Sequence, residues 1–132
     1  MAEVQMIYVS RPFGFDAPTL AGILIGARAN NLRDGITGCL ICRADIYIQL
    51  LEGPEAAVAV TWAKIRRDDR HVNIERRVFR PMTERMFPDW AMRDDPAQSW
   101  LWSQAEVDKG AADTASETDL LAIFARVAQS PG

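Results

Sequence analysis

The chain is poor in the residues from which most small catalytic and metal sites are built: its 132 residues hold one histidine, His71, and two cysteines. A structural zinc site needs four nitrogen or sulfur ligands, and the donors are not there. Cys39 and Cys42 form a C-x-x-C, but within Ile36-Thr37-Gly38-Cys39-Leu40-Ile41-Cys42, which reads as a strand. Residues three apart in a strand point to opposite faces, so the two thiols do not converge and read as core residues. No apolar run approaches the roughly 20 residues of a membrane span, and no signal-peptide pattern opens the chain, so a cytoplasmic location is expected. Charge of one sign is also scarce. Fifteen basic residues face 18 acidic ones, a net charge of −3 that gives no pull toward nucleic acid or anionic lipid. Paired carboxylates, an activated cysteine and a basic phosphate site are missing among the positions that read as buried, and there is no internal repeat.

What is present is an ordinary globular composition, 48% apolar and 25% charged, in the length of one compact domain. A chain of this size buries roughly two-thirds of its unfolded surface, enough for a core without staples, and is too short to add a separate catalytic domain. Val4 to Ser10 reads as a strand ended by Pro12-Phe13-Gly14. Asp16 and Pro18 open a helix whose stripe of Leu20, Ile23, Leu24 and Ala27 runs to about Asn31. After Asp34-Gly35, the runs Ile36–Cys42 and Ile46–Leu51 form a hairpin, apolar on both parities and so covered on both faces. Gly53-Pro54 punctuates, and a second helix from Pro54 to about Asp68 carries the stripe Val58, Trp62, Ile65. Ile74 to Met82 and a short Phe87 to Met92 complete the strands.

The order β-α-β-β-α-β, plus one strand, predicts an α+β, ferredoxin-like sheet with both helices on one face. In this reading the first and third strands are parallel neighbours at the sheet centre. Ala111 to Asp119 reads as a linker, and Leu120, Ile123, Phe124 and Val127 after it as an amphipathic helix docked on the bare face. The expected division is a domain at 1–95 and a C-terminal helical extension at 96–132. Ser99-Trp100-Leu101-Trp102 fits either a core plug or an interface.

A few polar residues fall where apolar ones are expected. Gln49 interrupts the doubly covered strand, Tyr8 lies on the adjacent central strand, and Asn31 continues the first helix's apolar line. A buried amide without partners costs about 1–3 kcal/mol, so Gln49 must be hydrogen-bonded. Each of the three could simply satisfy a neighbouring backbone group. A glutamine also carries an acceptor oxygen and a two-donor nitrogen on one carbon, so rotation or tautomerisation swaps donor for acceptor with little change of shape.

The segments Met6-Ile7-Tyr8-Val9-Ser10, Ala27-Arg28-Ala29-Asn30-Asn31, Gly35-Ile36-Thr37-Gly38, Ile48-Gln49-Leu50-Leu51-Glu52-Gly53-Pro54, Asp69-Arg70-His71 and Phe87-Pro88-Asp89-Trp90-Ala91-Met92 resemble, in order and spacing, the BLUF family of blue-light sensors using FAD. The resemblance covers about residues 4–93 and marks the chain as a short, stand-alone member. It implies a flavin, FAD with FMN or riboflavin as alternatives, lying between the two helices. Tyr8 would then match the photo-oxidised tyrosine, Gln49 the switching glutamine and Asn31, with Asn30 beside it, the asparagine that binds the flavin's amide edge. Ile23 would pack near the ring, and Lys64, Asp68 and His71 would fall at polar contacts around the second helix, although His71 fits a turn better than a ligand. Trp90 and Met92 would match the pair that relays the signal. Two positions depart from the family pattern: Lys64 stands where arginine is common and lacks its planar fork, and Ala91 stands where serine is common.

By the same resemblance, light drives an electron and a proton from Tyr8, Gln49 is left rearranged, and the flavin band shifts slightly to the red. The chain is then a photoreceptor and not an enzyme. Its output would pass through the last strand and the tail to a separate effector protein or through a homo-oligomer, with no nucleic acid, membrane or metal involved. The competing expectations are a small dimeric enzyme of ferredoxin-like fold, and a binding module of this shape that has lost its flavin.

Overall fold

The computed structural model describes residues 3–12, 26, 28–43, 46–67, 71–87, 93–96, 105–106 and 109–129. Strand β1 (Glu3–Pro12) leads to helix α1, described at 26 and 28–34, and then to the hairpin of β2 (Thr37–Arg43) and β3 (Ile46–Pro54). Helix α2 (Glu55–Arg67), β4 (His71–Met82) and β5 (Arg93–Pro96) follow. The tail holds a short α3 (Ala111–Thr114) and α4 (Glu117–Ala128). The five strands lie in the order β4-β1-β3-β2-β5, the ferredoxin-like α+β arrangement with one added strand.

β1 and β3 are central neighbours, but antiparallel rather than parallel as the sequence reading had it. The crossover through α1 leaves β1 and β2 pointing the same way, and the β2–β3 hairpin reverses the chain once more. β4 is antiparallel to β1, whereas β5 joins the far edge parallel to β2.

Every residue of β3 but its last is buried, as expected of a strand covered on both sides. On the helical side Val4, Met6 and Tyr8 of β1 meet Leu40, Tyr47, Leu51 and Val58, with Trp62 and Ile65 of α2 packed against them. On the other side Ile7, Val9, Cys39, Ile48 and Leu50 are covered by Leu120, Ile123, Phe124 and Val127 of α4. Cys39 is buried there; the side chain of Cys42 lies outside the described residues.

Several boundaries differ from the sequence expectation. Gly53-Pro54 does not stop β3, because Glu3 of β1 reaches far enough to pair with Pro54. His71 is the first residue of β4, paired with Pro12, and not a turn; β1 extends past Ser10 and gives it a partner. Phe87 lies outside any strand because its N–H is used by the Glu52 carboxylate, 2.9 Å away, and not by a ladder. The described last strand is Arg93–Pro96, and residues 88–92 lie outside the described residues, as do 99–102.

The stretch expected to be a linker contains α3 and the first turn of α4. Alanine-rich residues nucleate the former, and the Arg77 guanidinium donates to the carbonyls of Asp113 and Ala115 at its end (3.3 and 2.7 Å). A capping box starts the latter: the Asp119 N–H donates to Ser116 Oγ (3.0 Å) and the Ser116 N–H to Asp119 Oδ2 (3.1 Å).

Candidate functional site

Tyr8 and Gln49 face each other across the β1–β3 ladder, and both project to the helical side. The Tyr8 hydroxyl donates to Gln49 Oε1, in a pair whose residues are each only 4% exposed. The alternation of the two central strands brings them together: Met6 and Tyr8 on one strand, and Tyr47, Gln49 and Leu51 on the other, share a face. Asn31 is buried on α1 while Asn30 and Leu32 on either side are exposed. The helix therefore turns one amide of the Asn-Asn pair inward and leaves the other in solvent. Of the residues singled out in the sequence, Tyr8, Gln49 and Asn31 are buried and polar, and Tyr8 and Gln49 meet through their side chains.

The rest are placed differently. Lys64 is exposed on α2, close enough to Asp34 that its charge helps hold that carboxyl below its ordinary range, after the stronger hydrogen bonds from Arg33. The backbone of His71 starts β4, and its side chain lies outside the described residues. Ile23, Asp68, Trp90 and Met92 also lie outside them.

Two neighbours of the site were not assigned a role from the sequence. The Trp62 ring lies 5.6 Å from that of Tyr8, tilted by 53°. The Arg76 guanidinium stands 5.8 Å from the Trp62 ring and 4.8 Å from that of Phe79. The Trp62 stripe position was visible as core, but Arg76 sits on a strand whose contacts with α2 have no local signature. Glu52 was also missed. It is fully buried on the opposite face of β3, where Gln5 Nε2 donates to it at 2.8 Å. Its signal is a charged residue inside a run that otherwise reads as doubly covered.

The chemistry of this set can be stated from its atoms. Gln49 and Asn31 are carboxamides, each with donors and an acceptor, and Tyr8 adds a hydroxyl already engaged with Gln49. Such a group suits a planar ligand whose edge alternates donors and acceptors, as the amide edge of a flavin does. No cluster of three or more His, Cys, Asp or Glu that could hold a metal occurs among the described residues.

The fold and the site thus define a ferredoxin-like α+β domain with a hydrogen-bonded tyrosine–glutamine pair sealed beneath its helices. Residues 4–93 match the family described as sensors of blue-light using FAD (BLUF), and the chain belongs to that family of flavin-binding blue-light photoreceptors. It is 34% identical over 74 residues to the photoactivated adenylate cyclase subunit beta of Euglena gracilis, covering 55% of this chain and 9% of that protein. The dark-state structure of BlrB, a BLUF protein, superposes with a TM-score of 0.82 at 30% identity and covers 98% of both chains. A bacterial light-regulated adenylyl cyclase superposes with a TM-score of 0.71 at 29% identity, over 95% of this chain and 35% of that one. The chain thus spans under a tenth of the length of the curated relatives it matches.

Proposed function

We propose that this chain senses blue light by an exchange of hydrogen bonds between Tyr8 and Gln49, with Asn31 fixing the ligand's amide edge. The observation that carries the reading is the buried Tyr8 hydroxyl donating to Gln49 Oε1 at the centre of the sheet. A bound flavin, FAD with FMN or riboflavin as alternatives, supplies the absorption of blue light and a strong electron acceptor when excited.

The remaining work belongs to the chain. Tyr8 gives up an electron and then its phenolic proton, which leaves by way of the Gln49 carboxamide. The carboxamide tautomerises to the imidic acid and rotates, and electron and proton then return to Tyr8. Tyr8 now donates to the nitrogen end of the side chain, and the oxygen that had accepted from Tyr8 is turned to the ligand as a hydroxyl donor. Burial of both groups keeps water from competing for these bonds and makes each of them stronger than in solvent. The new donor would strengthen the hydrogen bond to the ligand's carbonyl edge and shift its visible band slightly to the red.

Ile23, Asn30, Lys64, Asp68 and His71 are proposed as the surrounding contacts, with the exposed Asn30 and Lys64 serving the rim. The domain would end near residue 95, with residues 96–132 as the extension that carries output. Trp90 and Met92 would relay the change to β5, and a separate effector protein or a homo-oligomer would read it. The chain would act in the cytoplasm as a sensor and not a catalyst.

Substitution tests the assigned roles. Tyr8→Phe and Gln49→Leu should each retain bound flavin and lose the reversible light-induced red shift. A variant of either kind that still shifted and recovered in the dark would remove the mechanism.

A further inference from the structure

Strand β3 addresses both faces of the sheet within three residues. Gln49 points to the helical side, and Glu52 to the side covered by α4. Glu52 is completely buried and has three donors: Gln5 Nε2 at 2.8 Å and the Met86 N–H at 2.9 Å on Oε2, and the Phe87 N–H at 2.9 Å on Oε1. A buried carboxylate is costly unless its lone pairs are matched by donors, and here they are. Two of the three donors are successive backbone amides of the segment between β4 and β5. The next contact continues outward, with the Phe87 ring edge-on to that of Phe124 in α4, centroids 6.4 Å apart at 89°.

The residue just before these amides is fixed as well. Arg85 donates from Nε and Nη2 to the two Glu3 oxygens (3.0 and 2.6 Å), from Nη1 to Thr37 Oγ1 (3.2 Å) and from Nη2 to the Gly35 carbonyl (3.0 Å). Three consecutive residues, 85–87, are therefore pinned to β1, to β3 and to the start of β2. The segment has little freedom to move independently of β3. Through Glu52 the strand that carries Gln49 is tied to Phe87, whose ring meets Phe124 of α4.

We propose that Glu52 is a positioning residue that ties the state of β3 to the tail helix, through the Met86 and Phe87 amides and the Phe87–Phe124 contact. This rests on the light-sensing reading above and adds to it a route on the opposite face of the sheet, independent of Trp90 and Met92. The residue type matters. A carboxylate only accepts, which suits three converging donors, whereas a carboxamide of the same size would turn an NH2 group toward an N–H. Glu52→Gln is thus the least disruptive substitution that breaks the link.

The test is amide hydrogen exchange on the flavin-loaded full chain, in darkness and under blue light, with a visible spectrum of each sample. In the unaltered chain, light should change exchange in residues 86–87 and 117–128 by about fivefold or more, the lower end of ordinary coupling between sites. Glu52→Gln should keep the spectral shift and bring that light-dependent change in 117–128 close to none. A purely structural role would raise exchange equally in darkness and light and leave their ratio intact, and that result overturns the proposal. Phe87→Leu keeps the carboxylate and both amides and makes the same test if Glu52→Gln does not fold. An unaltered chain with bound flavin but no band shift would instead remove the light-sensing reading itself.

Discussion

Tyr8 and Gln49 are held by their backbones before any ligand is considered, because the β1–β3 register sets them opposite each other and the face they share is closed by α2. Their hydrogen bond is the kind that costs most when broken from one side. Tyr8→Phe or Gln49→Leu should each destabilise the fold by about 1–3 kcal/mol, since the remaining partner stays buried without its mate. Replacing both should cost less than the sum of the singles, a coupling readable from denaturant midpoints in a double-mutant cycle. Single effects that added fully would mean the pair is not energetically linked.

Glu3 gives a residue-scale prediction in pH. Hydrogen bonds from Arg85 hold the Glu3 carboxyl below its ordinary value; they outweigh the opposing effect of burial, and the Arg85 charge adds a smaller pull in the same direction. A lowered folded-state pKa adds stability that is fully present above the ordinary carboxylate range and is lost as pH falls through the lowered value. The pair is half-buried and still reached by solvent, so the gain is small. Glu3→Gln should therefore be less stable than the unaltered chain near neutrality, with the gap closing as the solution is acidified. A gap that stayed constant down to the acid transition would show that the ion pair contributes nothing.

At the scale of elements, the β2–β3 pairing depends on Gly38. A Cβ there would stand 1.9 Å from the Leu50 carbonyl oxygen, and main chain cannot yield as a side-chain tip can. Gly38→Ala should force the strands apart beside Gln49 and destabilise by about 1–3 kcal/mol or more, measurable by thermal or urea unfolding. A near-neutral substitution would place the strand contact elsewhere. Gly35, with φ of 74°, serves differently, by letting the chain leave α1 in the left-handed region before β2 begins.

Strands β1 to β4 and α2 were legible in the sequence because each buries a continuous or periodic set of apolar side chains, whereas β5, Arg93–Pro96, has no apolar run to announce it. The burial of Tyr8, Gln49 and Asn31 was legible for the converse reason, as polar residues in places built for apolar ones. Strand direction was misread at β1 and β3 because hydrophobic pattern carries no polarity; only following the crossover and hairpin in turn fixes it. Glu52 was overlooked because its partners include two backbone amides more than 30 residues away, which leave no mark on residue identity. The first turn of α4 was read as linker because Ser116 and Asp119 are polar, and their reciprocal cap was not weighed. Asn31, and not Asn30, was read on the helix's apolar line, and since a helix turns neighbours about 100° apart only Asn31 is buried.

For the whole molecule, one sheet separates two packed faces. The helical side holds the tyrosine–glutamine pair, and the opposite side is closed by a tail helix with four fully or nearly buried apolar residues, Leu120, Ile123, Phe124 and Val127. Among the described residues the two sides are joined through the strands that both share, and β3 carries polar groups to both. The family and the known structures establish a flavin-binding blue-light sensor of ferredoxin-like fold. The most direct test of the account is the visible absorption spectrum of the purified chain, recorded in darkness and again after blue light. The account predicts a bound-flavin spectrum that moves slightly to the red and returns in the dark. A protein that binds no flavin, or whose flavin only bleaches, would contradict it.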